Sequence, residues 1–498
     1  MFYTSTRDNS VKVSSAEAIA QGISKDGGLF IPTEIPSISK DFIDSLVPLS
    51  YIERAKKVLS LYLTDFTADE IAMCVEGAYK AGKFSSEKVA PLADYNENAS
   101  ILELGRGTTC AFKDMALQLL PYLLTVSAKK TVADKTIVIL VATSGDTGKA
   151  ALEGFKDVPQ TKIMVFYPND GVSPMQKLQM ATQEGENVCV CAINGNFDDA
   201  QNGVKAIFTD KAVAEKLAEN NMMFSSANSI NWGRLVPQIV YYISAYCDLI
   251  EQGKIKNGDE MNVVVPTGNF GNILAAYYAK MMGVPVKKLI CASNSNNVLT
   301  DFLKKGEYDR NRKFYTTTSP SMDILISSNL ERLLYHLTGN NDATIRDWMG
   351  KLSSDGVYTV DADTLSQIKE LFDAGCCDDK ETAETIGETY KSGYLLDTHT
   401  AVAVKVYEEY VKETGDKTVT VIASTANPYK FSSSVLKAVC DDEIDNLDEF
   451  EQVNKLIETT EEPCPPQLAN LKEKQVRFTS CCEKAEMIDM VYKMLEIE

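Results

Sequence analysis

Thr136-Ile137-Val138-Ile139-Leu140-Val141-Ala142 runs directly into Thr143-Ser144-Gly145-Asp146-Thr147-Gly148, and that into Lys149-Ala150-Ala151. The first seven residues form an unbroken apolar run of strand length, without the polar alternation of a strand that has one wet face. The next six combine two glycines with Ser, Asp and Thr, the usual residues of a tight turn and a helix N-cap, so a helix starting at about Lys149 is predicted. A doubly buried strand that feeds a helix is the unit of a parallel sheet covered on both faces.

The same unit repeats outward from this stretch. Lys162 to Tyr167 and Asn187 to Ile193 read as strands, with helices from Pro174 to Ala181 and from Asp198 to Phe208. A second set starts at Met222-Met223-Phe224-Ser225-Ser226 and a long helix from Trp232 to about Ile250. It continues with the strand Met261 to Val265, a helix from Ile273 to Met282, and the strand Lys288 to Ala292. Between about 300 and 392 the alternation gives way to a charged, mostly helical stretch that reads as an insertion, and it resumes with the strand Thr418 to Ala423. Right-handed crossovers are expected throughout. The fold class is therefore α/β, with two open, mostly parallel sheet subdomains. Residues 1–95 form a mainly helical N-terminal unit with a Gly-rich turn at Asp26-Gly27-Gly28 and helices from Lys40 to Leu46, Tyr51 to Leu63 and Ala68 to Ala81, the last capped by Thr67. It reads as a lid or scaffold. Residues 96–435 form the core, in which about 140–225 is a smaller, mobile subdomain. Residues 436–498 form an acidic C-terminal extension whose run from Asp441 to Glu462 reads as a solvated face, closing on a helix from Ala485 to Leu495.

The chain has 498 residues, 44% apolar and 24% charged, and a formal net charge of −20. That length calls for two or three domains and allows a large buried site. Such acidity makes nucleic acid and anionic membrane poor partners, so any anionic metabolite must be held by locally arranged donors, of which helix N-termini are the obvious supply. No apolar run reaches membrane-spanning length and the first residues lack a signal-peptide pattern, so a cytoplasmic protein, monomeric or homodimeric, is expected. The twelve cysteines show no zinc spacing and read as free thiols, and the two histidines, His336 and His399, leave no material for a histidine metal site or triad and read as structural. No metal is expected.

Three strand-to-helix turns are placed to bind ligand, because open parallel sheets bind at the carboxyl ends of their strands. Pro266-Thr267-Gly268-Asn269-Phe270-Gly271-Asn272 offers backbone N–H groups at a helix start, which makes it a candidate phosphate cradle; alone it also reads as a tight turn. The Ser144 to Gly148 turn suits a carboxylate or a phenolic oxygen, or is simply a capped helix. At the end of a late strand, the hydroxyls of Ser424 and Thr425 suit an uncharged ring nitrogen. Upstream lies Thr108-Thr109-Cys110-Ala111-Phe112-Lys113-Asp114, in which a lysine walled by Ala111 and Phe112 heads an apolar-periodic helix. If desolvated, its amine loses its proton easily and becomes a nucleophile able to form a Schiff base; on these residues alone the commoner reading is the exposed first turn of a helix.

Taken in this order, the lysine, the Ser-Gly-x-Thr-Gly turn, the glycine loop and the late Ser-Thr resemble the pyridoxal-phosphate enzymes of the tryptophan-synthase-β type, fold type II. Asn228-Ser229-Ile230-Asn231-Trp232-Gly233-Arg234, Ser319-Pro320-Ser321-Met322-Asp323-Ile324, Ser328-Asn329-Leu330-Glu331-Arg332 and Asp26-Gly27-Gly28-Leu29 narrow the resemblance to the threonine synthase family, from Tyr3 to Phe431. The family usually reads Glu-Leu-Phe-His-Gly-Pro-Thr where this chain has Glu103-Leu104-Gly105-Arg106-Gly107-Thr108-Thr109, which offers Arg106 as an added anion contact.

The resemblance implies pyridoxal 5'-phosphate held by Lys113 as a Schiff base. Its phosphate would lie on Gly268, Asn269, Phe270, Gly271 and Asn272, and its ring nitrogen on Thr425. The implied substrate is O-phospho-L-homoserine. Lys113 would serve as general base and acid and Arg234 would bind the leaving phosphate. Ser144, Asp146 and Thr147 would stand near the substrate carboxylate and the cofactor's ring oxygen. Two alternatives stay open: a lyase on the same substrate type that yields 2-oxobutyrate, and a relative that kept the fold as a binding protein.

Overall fold

The computed structural model describes residues 1–132, 135–143, 145–169, 172–440, 444 and 446–497. The opening stretch forms the strand Thr136–Ala142 in a five-stranded sheet, all parallel. The sheet's order is Cys481–Glu483, Val188–Asn194, Thr161–Pro168, Thr136–Ala142, Met222–Ser225. Its side chains divide by the two-residue period of a strand. Ile137, Ile139 and Val141 join one core, and Val138 and Leu140 join another on the opposite face beneath the helix Phe197–Thr209. Burial on both faces is why the run is apolar throughout.

A six-stranded sheet forms the larger half, in the order Phe372–Cys376, Val286–Ser293, Met261–Pro266, Thr420–Ser424, Ala99–Glu103, Leu92–Asn96. Its pairs are parallel except at the last edge, where Leu92–Asn96 runs antiparallel to Ala99–Glu103. Val263 and Val265 face the core shared with helices Trp232–Glu251 and Gly271–Met282. Val264 and Ile422 face the helix Thr398–Thr414 on the other side. The carboxyl ends of Ala99–Glu103, Met261–Pro266 and Thr420–Ser424 in this sheet and of Thr136–Ala142 in the other all lead into the turns described below.

Two edge strands come from segments that read otherwise in the sequence. Phe372–Cys376 lies inside the charged helical stretch yet completes the large sheet, and Cys481–Glu483 in the acidic tail completes the small one. Both are short and semi-polar, which suits an edge but carries no apolar signature. The tail's last helix, Met487–Leu495, buries Met487, Val491 and Leu495.

Residues 1–95 pack as part of the body. A three-stranded antiparallel sheet of Asp8–Val13, Tyr3–Ser5 and Phe30–Pro32 accompanies helices Ser15–Gln21, Lys40–Leu46, Tyr51–Tyr62 and Ala68–Tyr79. Thr67 and Glu70 form a reciprocal capping box at the last of these. Trp232, fully buried at the start of the long helix, is ringed by Tyr3, Tyr62 and Tyr278 at centroid distances of 5.3, 5.5 and 5.6 Å. Arg54 crosses the same interface, with its Nη1 donating to Asp248 Oδ1 at 2.5 Å and to Ser244 Oγ at 2.8 Å. Among the described residues no helix is long and apolar enough to cross a membrane.

Arg54 and Asp248 are both buried, so removing one leaves the other charged and unpaired in a low-dielectric interface. Arg54→Met is expected to destabilise the protein by about 3–5 kcal/mol, and Arg54→Met/Asp248→Leu by much less, as read from urea unfolding midpoints.

Candidate active site

The lysine-bearing loop is fixed to the end of a central strand by backbone hydrogen bonds. Leu104 N–H donates to Ser424 O at 2.9 Å, Phe112 N–H to Thr425 O at 2.8 Å, and Asn427 N–H to Cys110 O at 2.9 Å. Cys110 adopts a left-handed φ of 60° to make the turn. Inside the loop the buried Asp114 accepts from Thr109 N–H at 2.8 Å and from Thr109 Oγ1 at 2.7 Å. Gly107 passes so close that a Cβ there would lie 2.5 Å from Asp114 Oδ2. Burial pushes the Asp114 carboxyl up to about 6 against those hydrogen bonds.

Lys113 begins the short helix Asp114–Leu117 and turns inward rather than to solvent. Its Nζ lies 3.2 Å from Ser321 Oγ and 3.7 Å from Asp146 Oδ2. Burial draws its pKa below the ordinary lysine value; Asp146 opposes that shift, and the nearby charges of Lys430 and Arg234 add to it. The pocket around the amine is lined by Ala111, Phe112, Asp146, Ser321, His399, Thr425 and Ala426.

Asp146 is the first residue of the helix Asp146–Phe155, after Gly145 at φ 144°. Thr143 Oγ1 pins the turn by accepting from Gly145 N–H at 3.0 Å and Gly148 N–H at 2.9 Å. Lys430 Nζ lies 2.7 Å from Asp146 Oδ1, and Ser321 Oγ donates to Oδ2 at 3.3 Å. Burial alone would raise this carboxyl, but Lys430 and then Lys113 outweigh it and hold it well below the usual carboxylate range. Thr147 is half-buried on the first turn, and Ser144 lies outside the described residues.

The glycine loop lies across the cleft. Ser327 Oγ donates to Gly268 O at 2.7 Å; Asn329 donates to Asn269 O from its backbone N–H at 3.1 Å and from its Nδ2 at 3.0 Å. Phe270, at φ 62°, turns the chain into the helix Gly271–Met282. The backbone N–H groups of Gly268, Asn269, Phe270, Gly271 and Asn272 make no hydrogen bond among the described residues, as befits a loop entering a helix N-terminus. Asn272 Oδ1 accepts from Tyr241 and Tyr242 at 2.7 and 2.5 Å, while its Nδ2 is buried without a partner. Gly268 faces the Ser319–Asp323 turn, and a Cβ there would lie 2.7 Å from Ser321 O. That close approach brings the glycine loop to the turn whose Ser321 side chain meets Lys113.

Arg234 is buried, donates from Nη1 to Ala227 O at 2.5 Å, and keeps a buried Nε without a partner. It makes no ion pair with a carboxylate among the described residues. Burial brings it down to about 10, so it stays cationic at neutral pH. Thr425 lines the Lys113 pocket, as its place at the strand end predicts.

Three side chains at this site were passed over in the sequence. His399 read as structural, yet it stands in the pocket wall: its Nε2 accepts from Ser321 N–H at 3.1 Å and its Nδ1 is 3.2 Å from Asp397 Oδ1. Those partners place the ring hydrogen on Nδ1. His336 is a core histidine, 3.0 Å from Tyr278 Oη and pushed down to about 4 by burial. Ser321 stood within a quoted motif but without a role. Lys430, five residues past Thr425, is buried against Asp146 and Thr109 O. Arg106, expected to offer an anion contact, instead pairs with Glu103 Oε2 at 2.6 Å and is half-buried.

The N-terminal unit reaches the site through Arg332. This buried guanidinium donates to Phe30 O at 3.0 Å, Ile230 O at 2.6 Å and Asn329 Oδ1 at 2.5 Å, and so orients the Asn329 amide behind the glycine loop. Thr6 and Arg7 both hold the adjacent Glu331.

Three family models match the chain: one described as Threonine synthase N terminus over residues 2–79, one as Pyridoxal-phosphate dependent enzyme over 101–425, and one as Threonine synthase, C-terminal over 400–491. Threonine synthase from Pseudomonas aeruginosa is 39% identical over 441 residues, covering 88% of this chain and 90% of that protein. Human Threonine synthase-like 1 is 44% identical over 437 residues, 85% of this chain; the chain spans only 58% of that longer relative. The crystal structure of PLP-bound threonine synthase from Brucella melitensis superposes with a TM-score of 0.89 at 36% identity, covering 100% of both chains.

The depressed pKa of Lys113 makes its amine reactive at a lower pH than other lysines. With an aldehyde reagent and borohydride trapping, followed by peptide mapping across pH, labelling of Lys113 in cofactor-free protein is expected to level off below the ordinary lysine range. Because Asp146 holds that pKa up, Asp146→Asn should move the inflection further down. An inflection at or above the ordinary value would overturn this account of the pocket.

Proposed function

Because this chain belongs to the threonine synthase family of pyridoxal-phosphate-dependent enzymes, we propose that it is the lyase that converts O-phospho-L-homoserine and water into L-threonine and phosphate. The observation that supports the proposal is a lysine amine in a small pocket with Ser321, whose turn abuts a glycine loop of unpartnered backbone N–H groups, and a buried arginine with a free Nε whose charge acts on that amine.

The cofactor is pyridoxal 5'-phosphate, and the residues present fit it. Lys113 is the one described lysine whose amine lines the pocket, with Thr425 and His399 on its walls. The N–H groups from Gly268 to Asn272, backed by the dipole of the helix Gly271–Met282, suit a phosphate dianion, and the orphaned Asn272 Nδ2 is a further donor. Thr425 offers a neutral hydroxyl to the ring nitrogen. When bound, the cofactor supplies an electron sink for negative charge developing on the substrate carbons.

The chain's own groups divide the remaining work. Lys113 Nζ would take the α-proton and carry protons at Cβ and Cγ; burial, by drawing its pKa down, makes its free amine easier to reach than that of an exposed lysine. Arg234 receives the phosphate leaving from Cγ. With Nη1 engaged by Ala227 O, its free Nε edge is the side presented to an oxyanion. The turn into the helix Asp146–Phe155 holds the substrate carboxylate through the main-chain N–H groups of Asp146 and Thr147, those of Gly145 and Gly148 being given to Thr143 Oγ1, and through the Thr147 hydroxyl, because the Asp146 carboxylate is itself an anion occupied by two lysines. His399 fixes Ser321, which in turn holds Lys113 on its proton-transfer path. In the same reading the parts of the chain are 1–95, 96–435 and 436–498, and the unit at about 140–225 is the smaller, mobile part of the core.

Borohydride reduction of the purified protein and peptide mapping should place a pyridoxyl label on Lys113, and Lys113→Ala should remove label and turnover while keeping the melting profile. With phosphohomoserine as substrate, threonine is the expected product. Formation of 2-oxobutyrate would assign the lyase alternative, and a colourless protein that takes up no cofactor would assign a binding protein. Arg234→Met should lower kcat/KM for phosphohomoserine by about 100-fold or more while leaving the cofactor's absorption unchanged, because a buried charge-assisted contact to the leaving group is lost.

A further inference from the structure

We propose that Lys430 is a positioning residue whose ammonium neutralises Asp146, so that a carboxylate built into the anion-binding turn does not repel the substrate anion that the turn must hold. The inference rests on the threonine synthase reading of the site.

The turn contains a contradiction in charge. Its glycines and helix N-terminus suit an anion, yet the first helical residue is Asp146, whose carboxylate points into the same pocket as Lys113 and Ser321. Asp146 cannot simply be dispensed with, because its Oδ2 accepts from Ser321 Oγ at 3.3 Å and lies 3.7 Å from Lys113 Nζ. In a buried site two anions a few ångströms apart repel strongly, so the carboxylate needs a permanent counter-charge.

Lys113 cannot be that counter-charge. In the proposed reaction its nitrogen is bonded to the cofactor at one stage and gains and loses a proton at the next. The other ammonium in contact with Asp146 among the described residues is Lys430, at 2.7 Å from Oδ1. Its side chain is 2% exposed, its Nζ also donates to Thr109 O at 2.9 Å, and it is absent from the pocket wall. It therefore reaches the ligand only through Asp146. Although burial disfavours its charge, Asp146 keeps its pKa above the ordinary lysine value, so the pair stays ionised throughout. The contact also crosses the cleft: Asp146 follows a strand of the five-stranded sheet, whereas Lys430 and Thr109 flank strand ends of the six-stranded one.

The test uses holoenzyme and two ligands that differ in one charge, L-threonine and L-threoninamide, titrated by the change in cofactor absorption. Lys430→Met is expected to weaken L-threonine about 10- to 100-fold and to leave L-threoninamide unchanged or tighter. In the Asp146→Asn background the same Lys430→Met change should alter L-threonine affinity by less than about threefold. Lys430→Arg should bind L-threonine like the wild type. Equal losses for both ligands, or an undiminished loss in the Asp146→Asn background, would make Lys430 a structural prop and overturn the inference. The Asp146→Asn pair of variants keeps the comparison available if Lys430→Met alone does not fold. A wild-type enzyme that makes no threonine from phosphohomoserine would instead overturn the reading beneath it.

Discussion

The backbone hydrogen bonds that fasten the loop at 104–112 to the end of the strand Thr420–Ser424 are the constraint from which the site follows. A lysine at the head of a short helix would ordinarily extend into water, because desolvating an ammonium is costly. Here Leu104, Cys110 and Phe112 are tied to Ser424, Asn427 and Thr425, so the side chain of the next residue can only enter the cleft at the strand end. Once inside, it needs polar neighbours, and these come from turns far away in the chain: Asp146 from the smaller sheet and Ser321 from the turn facing Gly268. Lysine amine, counter-ion and glycine loop are thus assembled by backbone geometry before any ligand arrives, which is what electrostatic preorganisation requires.

The N-terminal unit takes part in the same construction. Arg332 is buried beneath the strand that contains Phe30, and its three donors fix Ile230, Asn329 and Phe30 at once. Asn329 then holds the Asn269 carbonyl from behind. With the carbonyls of Gly268 and Asn269 engaged on that side, the loop's N–H groups are left for a ligand on the other. A unit with no chemistry of its own thereby sets the orientation of the anion donors, and the aromatic ring around Trp232 explains how it is held rigidly enough to do so.

What could be read in the sequence and what could not divide along a physical line. Strands buried on both faces, such as Ile137 to Val141 and Val263 to Val265, announce themselves because each of these positions must be apolar. Edge strands such as Phe372–Cys376 and Cys481–Glu483 need bury only one side and look like loop or helix. Ala99–Glu103 was missed for a different reason, being five residues with a serine and a glutamate at positions where neighbours supply the hydrogen bonds. At the site, the glycine loop was legible because the close approach of its backbone to the Ser321 turn demands glycine at 268, and Lys113 because it falls in place among motifs that resemble a known family. Lys430 and His399 were not. Their meaning lies wholly in partners hundreds or tens of residues away, Asp146 for one and Ser321 for the other, and a buried lysine has the same letter as an exposed one.

An acidic chain that binds anions also has to solve a problem of range. A net charge of −20 repels a phosphorylated amino acid at long distance, but at physiological ionic strength that field decays over about 8 Å, so affinity is settled by what lies within the cleft. There Lys430 offsets the Asp146 carboxylate and Arg234 is a further cation, both buried where a charge counts for more than it does at the surface. The remaining donors are neutral: the helix N-termini at Asp146 and Gly271, and the amide of Asn272. Neutral donors attract a dianion without attracting every passing one, because each must be met at hydrogen-bonding distance and angle. The chain can therefore be strongly acidic overall while the few positive charges inside sit where backbone geometry has already fixed their neighbours.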